Sequence, residues 1–201
     1  IYYQKLDANG NFTLASNGVE LVSSNADDYI MAISPTPDGK YMIFWMEDAW
    51  PASSLKYTKI DAEGNIEIGW NPNGNSLSDP SSDSRNLKVK TITDESGLLA
   101  VWSQDGNFSD IYAQMISWEG ETIWGEGGIT ISDADNDQVN FSFELNQSKT
   151  HALVTWEDYR NGSDFEIFGE LIDLEVGLSN NQDVQFTNDT TNQYNPTMSL
   201  V

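Results

Sequence analysis

The amino-acid sequence repeats itself, and this repeat limits the folds that are available to the chain. An apolar-led segment of seven residues starts at positions 1, 55, 111 and 167, which gives a period of 54 to 56 residues. Its four copies read IYYQKLD, LKYTKID, IYAQMIS and IFGELID. A second motif keeps the same period and pairs a tryptophan with a following aspartate: Trp45 and Asp48, Trp102 and Asp105, Trp156 and Asp158. Two motifs that stay in step indicate tandem structural repeats.

Each repeat reads as four short β-strands. The first strands are predicted at 29–34, 87–92, 139–145 and 196–201. The second strand contains the tryptophan, and the third is the segment typified by IYAQ, which includes Tyr112 and Gln114. Turns such as DANGN and DAEGN then lead into a fourth strand, because glycine supplies the positive φ of a tight hairpin. Two of these fourth strands are expected to end at Trp70 and Trp124. The i, i+3, i+4 spacing of a helix is not sustained anywhere.

Four antiparallel strands in about 55 residues are typical of one blade of a β-propeller. The fold class is therefore predicted to be all-β, a partial propeller of about 3.5 four-stranded blades in a single segment, 1–201. Its parts are a half blade with third and fourth strands, three blades and the first strand of the next blade: 1–28, 29–86, 87–138, 139–195 and 196–201. We expect a longer parent chain with further blades. An array of β-sandwiches is the competing architecture.

The three repeated tryptophans are expected to lie between adjacent blades. A lone four-stranded sheet exposes two apolar faces, so it must stack on a neighbour to be stable. A buried indole at such a contact contributes about 2–3 kcal/mol.

The charge balance excludes some classes of partner. The sequence has 9 Lys and Arg against 32 Asp and Glu, a formal net charge of −23. Such a surface repels phosphate backbones and anionic lipid head groups, so nucleic acid and membrane insertion are not expected. The absence of cysteine excludes disulfides and thiolate catalysis. No apolar stretch reaches the roughly 18 residues of a membrane-spanning helix.

The last full unit resembles a repeat found in secreted proteins of Bacteroidota, with the pattern W-E-D-x-R-x-G followed by D-I-Y-A-Q-x-I-D. The first half matches Trp156, Glu157, Asp158, Arg160 and Gly162, and the second half matches DIYAQ at 110–114. The resemblance covers essentially the whole chain, but the units WMEDAW and WSQDGN lack the arginine. It implies export, often by type IX secretion, and a secreted or cell-surface location. It implies no particular ligand.

The Asp158–Arg160 pair has two interpretations. The two side chains could bind a ligand at a blade edge, or they could brace the loop between two strands. Because the motif recurs at a fixed position in the repeat, the architectural role is the favoured one.

An aspartate-rich segment between two blades is a candidate metal site. Asp133, Asp135, Asp137 and Glu144 occupy positions 1, 3, 5 and 12 of an EF-hand loop. Gln138 stands where that loop needs glycine, and no flanking helix is predicted. A looser Ca²⁺ site formed by the three aspartates is the remaining hypothesis, since clustered carboxylates repel one another unless a cation or solvent intervenes. No other cofactor is expected.

If the three aspartates bind calcium, millimolar Ca²⁺ should raise the melting temperature of the chain, because a ligand of the folded state stabilises it. A thermal melt with and without a chelator measures this effect. Melting that is insensitive to both calcium and chelator would exclude the site.

No catalytic motif is recognisable. The single histidine, His151, has no serine or cysteine partner in a known pattern, and the aspartate box of sialidases is absent. The favoured function is a non-catalytic, exported binding or display module for an extracellular glycan or protein, in the manner of an adhesin. A carbohydrate-active hydrolase on a propeller scaffold and a structural spacer without ligand are the alternatives.

Overall fold

The computed structural model describes residues 1–93, 96–178 and 183–199. Within these ranges the chain consists of strands and loops, with no helix and hence no helix that could cross a membrane. The strands are β1 (Tyr2–Tyr3), β2 (Val19–Glu20), β3 (Asp27–Pro35), β4 (Tyr41–Ala49), β5 (Ala52–Ile60), β6 (Asn75–Ser76), β7 (Asp83–Thr93), β8 (Gly97–Asp105), β9 (Ser109–Ile116), β10 (Ile129–Ser132), β11 (Gln138–Leu145), β12 (His151–Asp158), β13 (Glu166–Asp173), β14 (Gly177–Leu178) and β15 (Val184–Gln185).

The strands form four antiparallel sheets that follow one another along the chain. Sheet I contains β1 and β2, sheet II contains β3 to β6, and sheet III contains β7 to β10. Sheet IV contains β11 to β13, with both β14 and β15 paired to β13. Sheets II and III share one order, in which three long strands lie side by side in chain order and a short fourth strand follows. The prediction of an all-β chain with four-stranded antiparallel sheets is confirmed.

The fourth strands do not end at the two tryptophans named in the sequence. After an isolated bridge between Ile60 and Ile66 the chain turns again, and Trp70 lies in this turn ahead of β6. The reason is packing, since Trp70 leaves its own sheet and contacts Gly120 in sheet III, where a Cβ would overlap the indole ring. Trp124 likewise precedes β10.

The first strand of each of sheets II, III and IV contains a register shift that the sequence did not predict. Their register shifts between Ile30 and Ala32 in β3, between Arg85 and Lys88 in β7, and between Val139 and Ser142 in β11. These are β-bulges on the free edge of each sheet, where a bulge blocks pairing with a further strand. Residues 196–199 form no strand, and 200–201 lie outside the described residues.

Consecutive sheets stack face to face through three apolar clusters. Alternation along β4 sends Ile43 towards sheet I and Phe44 towards sheet III, because successive side chains of a strand point to opposite faces. The cluster between sheets III and IV is the largest and joins residues such as Val101 and Phe143. The sheets are therefore held together by apolar burial on both faces.

The three repeated tryptophans occupy equivalent positions in this stack. Trp45, Trp102 and Trp156 are each 0% exposed, and each packs against the sheet that precedes its own. Glycine provides the space for two of the rings, because a Cβ on Gly74 would overlap Trp45 and one on Gly128 would crowd Trp102. Both glycines also adopt positive φ, so two independent constraints favour glycine there.

Replacing Trp102 by alanine should destabilise the chain by about 3 kcal/mol or more, because it opens a cavity between sheets II and III. Trp50→Ala is the matched control, since Trp50 is 94% exposed and its loss should change the free energy of unfolding by less than about 0.5 kcal/mol. Chemical denaturation of both variants measures the difference. Equal stability of the two variants would contradict the inter-sheet packing.

Candidate binding face

One end of the stacked sheets collects the hairpins between second and third strands. The tips of these hairpins are residues 50–51, 106–108 and 159–165. The connections that leave one sheet and enter the next arrive at the same end, since β7 begins opposite the end of β8, at the Asp83–Asp105 pair. We call this end the hairpin face. Loops held by a rigid scaffold are the usual place for binding residues.

Each hairpin tip carries an aromatic side chain. Trp50 is 94% exposed and Phe108 is 45% exposed. At the third tip, Tyr159 packs on Phe165 with ring centroids 4.9 Å apart, and Phe165 packs on Tyr194 at 5.9 Å. Tyr159 and Phe165 are half-buried, so the rings are exposed at the first two tips only. Aromatic rings in the same place on successive sheets are a typical feature of recognition surfaces.

Trp50 lines two surface cavities. The first, of about 280 Å³, is lined by Met46, Asp48, Pro51, Asp83 and Arg85, among others. The second, of about 490 Å³, lies towards the connection between sheets I and II and is lined by residues 24–27 and 47–50. Trp50 and Asp48 thus line both cavities.

The hairpin of sheet IV is braced by the predicted Asp158–Arg160 pair. Arg160 donates from Nε to Asp158 Oδ1 at 2.8 Å and from its terminal nitrogen to Asp158 Oδ2 at 2.6 Å. The same nitrogen donates to Asp183 at 2.5 Å, and Asp183 accepts a further hydrogen bond from Ser132 of sheet III. Burial opposes the charge of Arg160, but these two carboxylates raise its pKa above the ordinary value. The contacts link two sheets and leave Asp158 with a 0% exposed side chain, as a brace requires.

The three repeated aspartates are not structurally equivalent. Asp158 follows Trp156 by two residues, so both side chains lie on one face and the indole Nε1 donates to Asp158 at 2.7 Å. Asp48 and Asp105 follow their tryptophans by three residues and point the other way. Asp48 accepts a hydrogen bond from Ser53 at 2.8 Å, and Asp105 pairs with Arg85.

This one-residue difference has a consequence for the other two tryptophans. In the described ranges, the indole N–H groups of Trp45 and Trp102 have no hydrogen-bond partner. Their burial is therefore purely apolar, whereas Trp156 is also anchored by a charge-assisted hydrogen bond.

The third-strand residues of the repeat serve packing and turn formation. Tyr112 stacks on Trp102 with centroids 6.0 Å apart and an interplanar angle of 17°. Gln114 is 0% exposed, donates to the carbonyl of Gly125 at 2.6 Å and accepts from the amide of Trp124 at 2.9 Å. The glutamine fixes the turn that precedes β10.

Asp110 begins the third strand of sheet III at the hairpin face, within electrostatic range of three other aspartates. Burial raises the pKa of Asp110 to about 6. The negative charges of Asp133, Asp137 and Asp105 add to this increase. Asp110 therefore prefers its proton well above the pH at which an ordinary aspartate ionises.

The structure gives no support to a calcium site at the predicted aspartates. Asp133 and Asp135 are exposed, while Asp137 accepts a hydrogen bond from the amide of Ser109 at 3.0 Å. Glu144 lies in β11 and pairs with Lys90 of sheet III at 2.6 Å, away from an EF-hand arrangement. Over 1–93, 96–178 and 183–199, no group of three or more acidic or histidine side chains is arranged to hold a metal. Calcium binding remains a prediction.

The chain matches no protein-family model, no curated protein and no solved structure.

Trp50 was not among the candidate site residues predicted from the sequence, and Asp110 appeared there only as the first residue of the DIYAQ match. A signal for Trp50 existed, because WMEDAW places a tryptophan where the related repeat has arginine. No sequence signal predicted the raised pKa of Asp110, because its causes are burial and carboxylates that lie outside its own strand.

Asp110→Asn should stabilise the chain at neutral pH. A carboxyl whose pKa is about 6 in the folded state and about 4 in the unfolded state makes its full contribution to the free energy of unfolding below pH 4. This stabilising contribution is lost as the pH rises through 6, because the folded state must then accommodate the charge. The melting temperature of the variant should thus exceed that of the wild type at pH 7, with the gap closing towards pH 4.

Asp61→Asn is the control with the opposite expectation, since hydrogen bonds from the side chain and backbone of Asn65 lower the pKa of Asp61. It should give no gain at pH 7. Melting curves from pH 4 to pH 8 measure both variants. A wild-type chain as stable as Asp110→Asn at pH 7 would contradict the raised pKa.

Proposed function

We propose that the chain is a non-catalytic, exported binding module that presents its hairpin face to an extracellular glycan or protein. The observation that carries the proposal is an aromatic side chain at each of three successive hairpin tips, exposed at the first two and half-buried in an aromatic cluster at the third. The sheets beneath form a propeller-like series of blades, and the resemblance to secreted repeat proteins supports a secreted or cell-surface location.

The stacked sheets supply the rigidity that such a surface needs. The hairpins extend from strands such as β4, β8 and β12, which contain the buried tryptophans. Ligand binding then costs little ordering of the scaffold, because the strands beneath the loops are already fixed.

The aromatic tips supply the contact area. A half-exposed or fully exposed ring gains apolar burial when a ligand covers it. Trp50 and Phe108 both have exposed ring surface that a ligand could cover. Aromatic residues are enriched among the residues that dominate binding energy at interfaces. Trp50 lines two surface cavities, so a ligand seated in either one can contact it.

The proposal is tested with the full chain immobilised and exposed to a glycan array and to a panel of purified extracellular proteins. A Trp50→Ala/Phe108→Ala variant should bind its best ligand at least tenfold more weakly, because two exposed contact rings are removed. Phe12→Ala/Ile68→Ala is the matched control, with two exposed apolar residues at the opposite end of sheets I and II.

Unchanged binding by the tip variant, or absence of any ligand in both panels, would contradict the proposal. Release of a cleaved product from any glycan, abolished by substitution of an acidic residue on the hairpin face, would instead assign the chain to the hydrolases.

A further inference from the structure

The surface around Trp50 carries uncompensated negative charge. Asp27 and Asp48 line the larger cavity, and Asp48 also lines the smaller one. In the part of the chain that the structure describes, neither aspartate forms an ion pair. Both carboxylates are thus available to a cation from outside.

The other charges at this surface are already paired. Glu47 pairs with Lys56 at 2.5 Å. Arg85 also lines the smaller cavity, but it is shared between Asp83 and Asp105 and forms no ion pair with either aspartate near Trp50. With a net charge of −23 on the whole chain, the long-range field also favours the approach of cations.

The smaller cavity combines this charge with apolar walls. Met46 and Pro51 line it together with the indole of Trp50. Its volume of about 280 Å³ lies just below the roughly 300–1,000 Å³ of small-molecule sites, and suits a single side chain. A lysine or arginine has the matching shape, with an alkyl stem for the apolar wall and a charged end for the carboxylates.

An exposed indole is also the best aromatic partner for a cation. Lysine and arginine groups are attracted to the face of a tryptophan ring, and the attraction grows as the pair loses water. A neutral sugar could stack on the same ring, but it would gain nothing from unpaired carboxylates beyond ordinary hydrogen bonds. An anionic sugar would be repelled.

We infer that the ligand of the hairpin face is a basic segment of an extracellular polypeptide, with a lysine or arginine side chain packed against Trp50 and its charge beside Asp48 and Asp27. This inference rests on the proposed function. It narrows the ligand from a glycan or protein to a basic polypeptide.

The test uses the full chain and three probes: a lysine-rich peptide, the same peptide with its lysines acetylated, and a panel of neutral glycans. Acetylation removes the charge and keeps the stem, so it separates cation recognition from apolar contact. Binding is measured by calorimetry at low and at physiological salt, because exposed charge pairs weaken as salt rises.

Two pairs of variants separate recognition from general attraction to an acidic protein. Trp50→Ala should weaken peptide binding at least fivefold, whereas Phe12→Ala, which removes an exposed ring at the opposite end, should leave it unchanged. Asp27→Asn/Asp48→Asn should weaken binding at least fivefold, and Glu63→Gln/Glu119→Gln, with equal loss of charge in the turns at the opposite end, should have less than twofold effect.

Equal loss of binding in the two charge variants, with Trp50→Ala unaffected, would overturn the inference in favour of general electrostatic attraction. Binding of a neutral glycan that depends on Trp50, with no binding of the lysine-rich peptide, would overturn the inference and leave the proposed function intact. Absence of any ligand whose binding depends on the hairpin face would contradict both the inference and the proposed function.

Discussion

The structure depends on the burial of one tryptophan between each pair of neighbouring sheets. Trp45, Trp102 and Trp156 each fill the space between their own sheet and the preceding one, with no exposed surface. A four-stranded sheet of about 55 residues has too little interior to be stable alone, since small domains bury a limited share of their surface. Stacking supplies the missing burial, so the stability of each sheet depends on its neighbours.

This dependence explains why the fold could be predicted from the sequence. A repeated tryptophan in step with a repeated apolar strand specifies both the unit and its contact. The long strands follow directly, because alternation of apolar residues marks them. The fourth strands could not be placed, since Trp70 leaves its sheet for Gly120 of the next one, a contact between different repeats. The bulges of the first strands were also missed, because register depends on pairing and not on composition.

The candidate site was harder to predict from the sequence than the fold. Sequence reasoning correctly associated Asp158 with Arg160, because two residues so close in the chain have a limited choice of partners. It did not anticipate that Asp183 completes the brace, or that neighbouring carboxylates and burial raise the pKa of Asp110. Those effects arise between sheets. Trp50 breaks the repeat, so the repeat pattern did not predict a role for it, although residues that break a repeat are freer to serve binding.

The coupling between sheets is tested most directly by hydrogen exchange of individual segments, measured by mass spectrometry on the full chain and on Trp102→Ala. Trp102 belongs to sheet III but packs on sheet II. The account predicts that strands β4 and β5 of sheet II lose protection as much as β8 and β9 of sheet III. Loss of protection confined to sheet III, with sheet II unchanged, would contradict it.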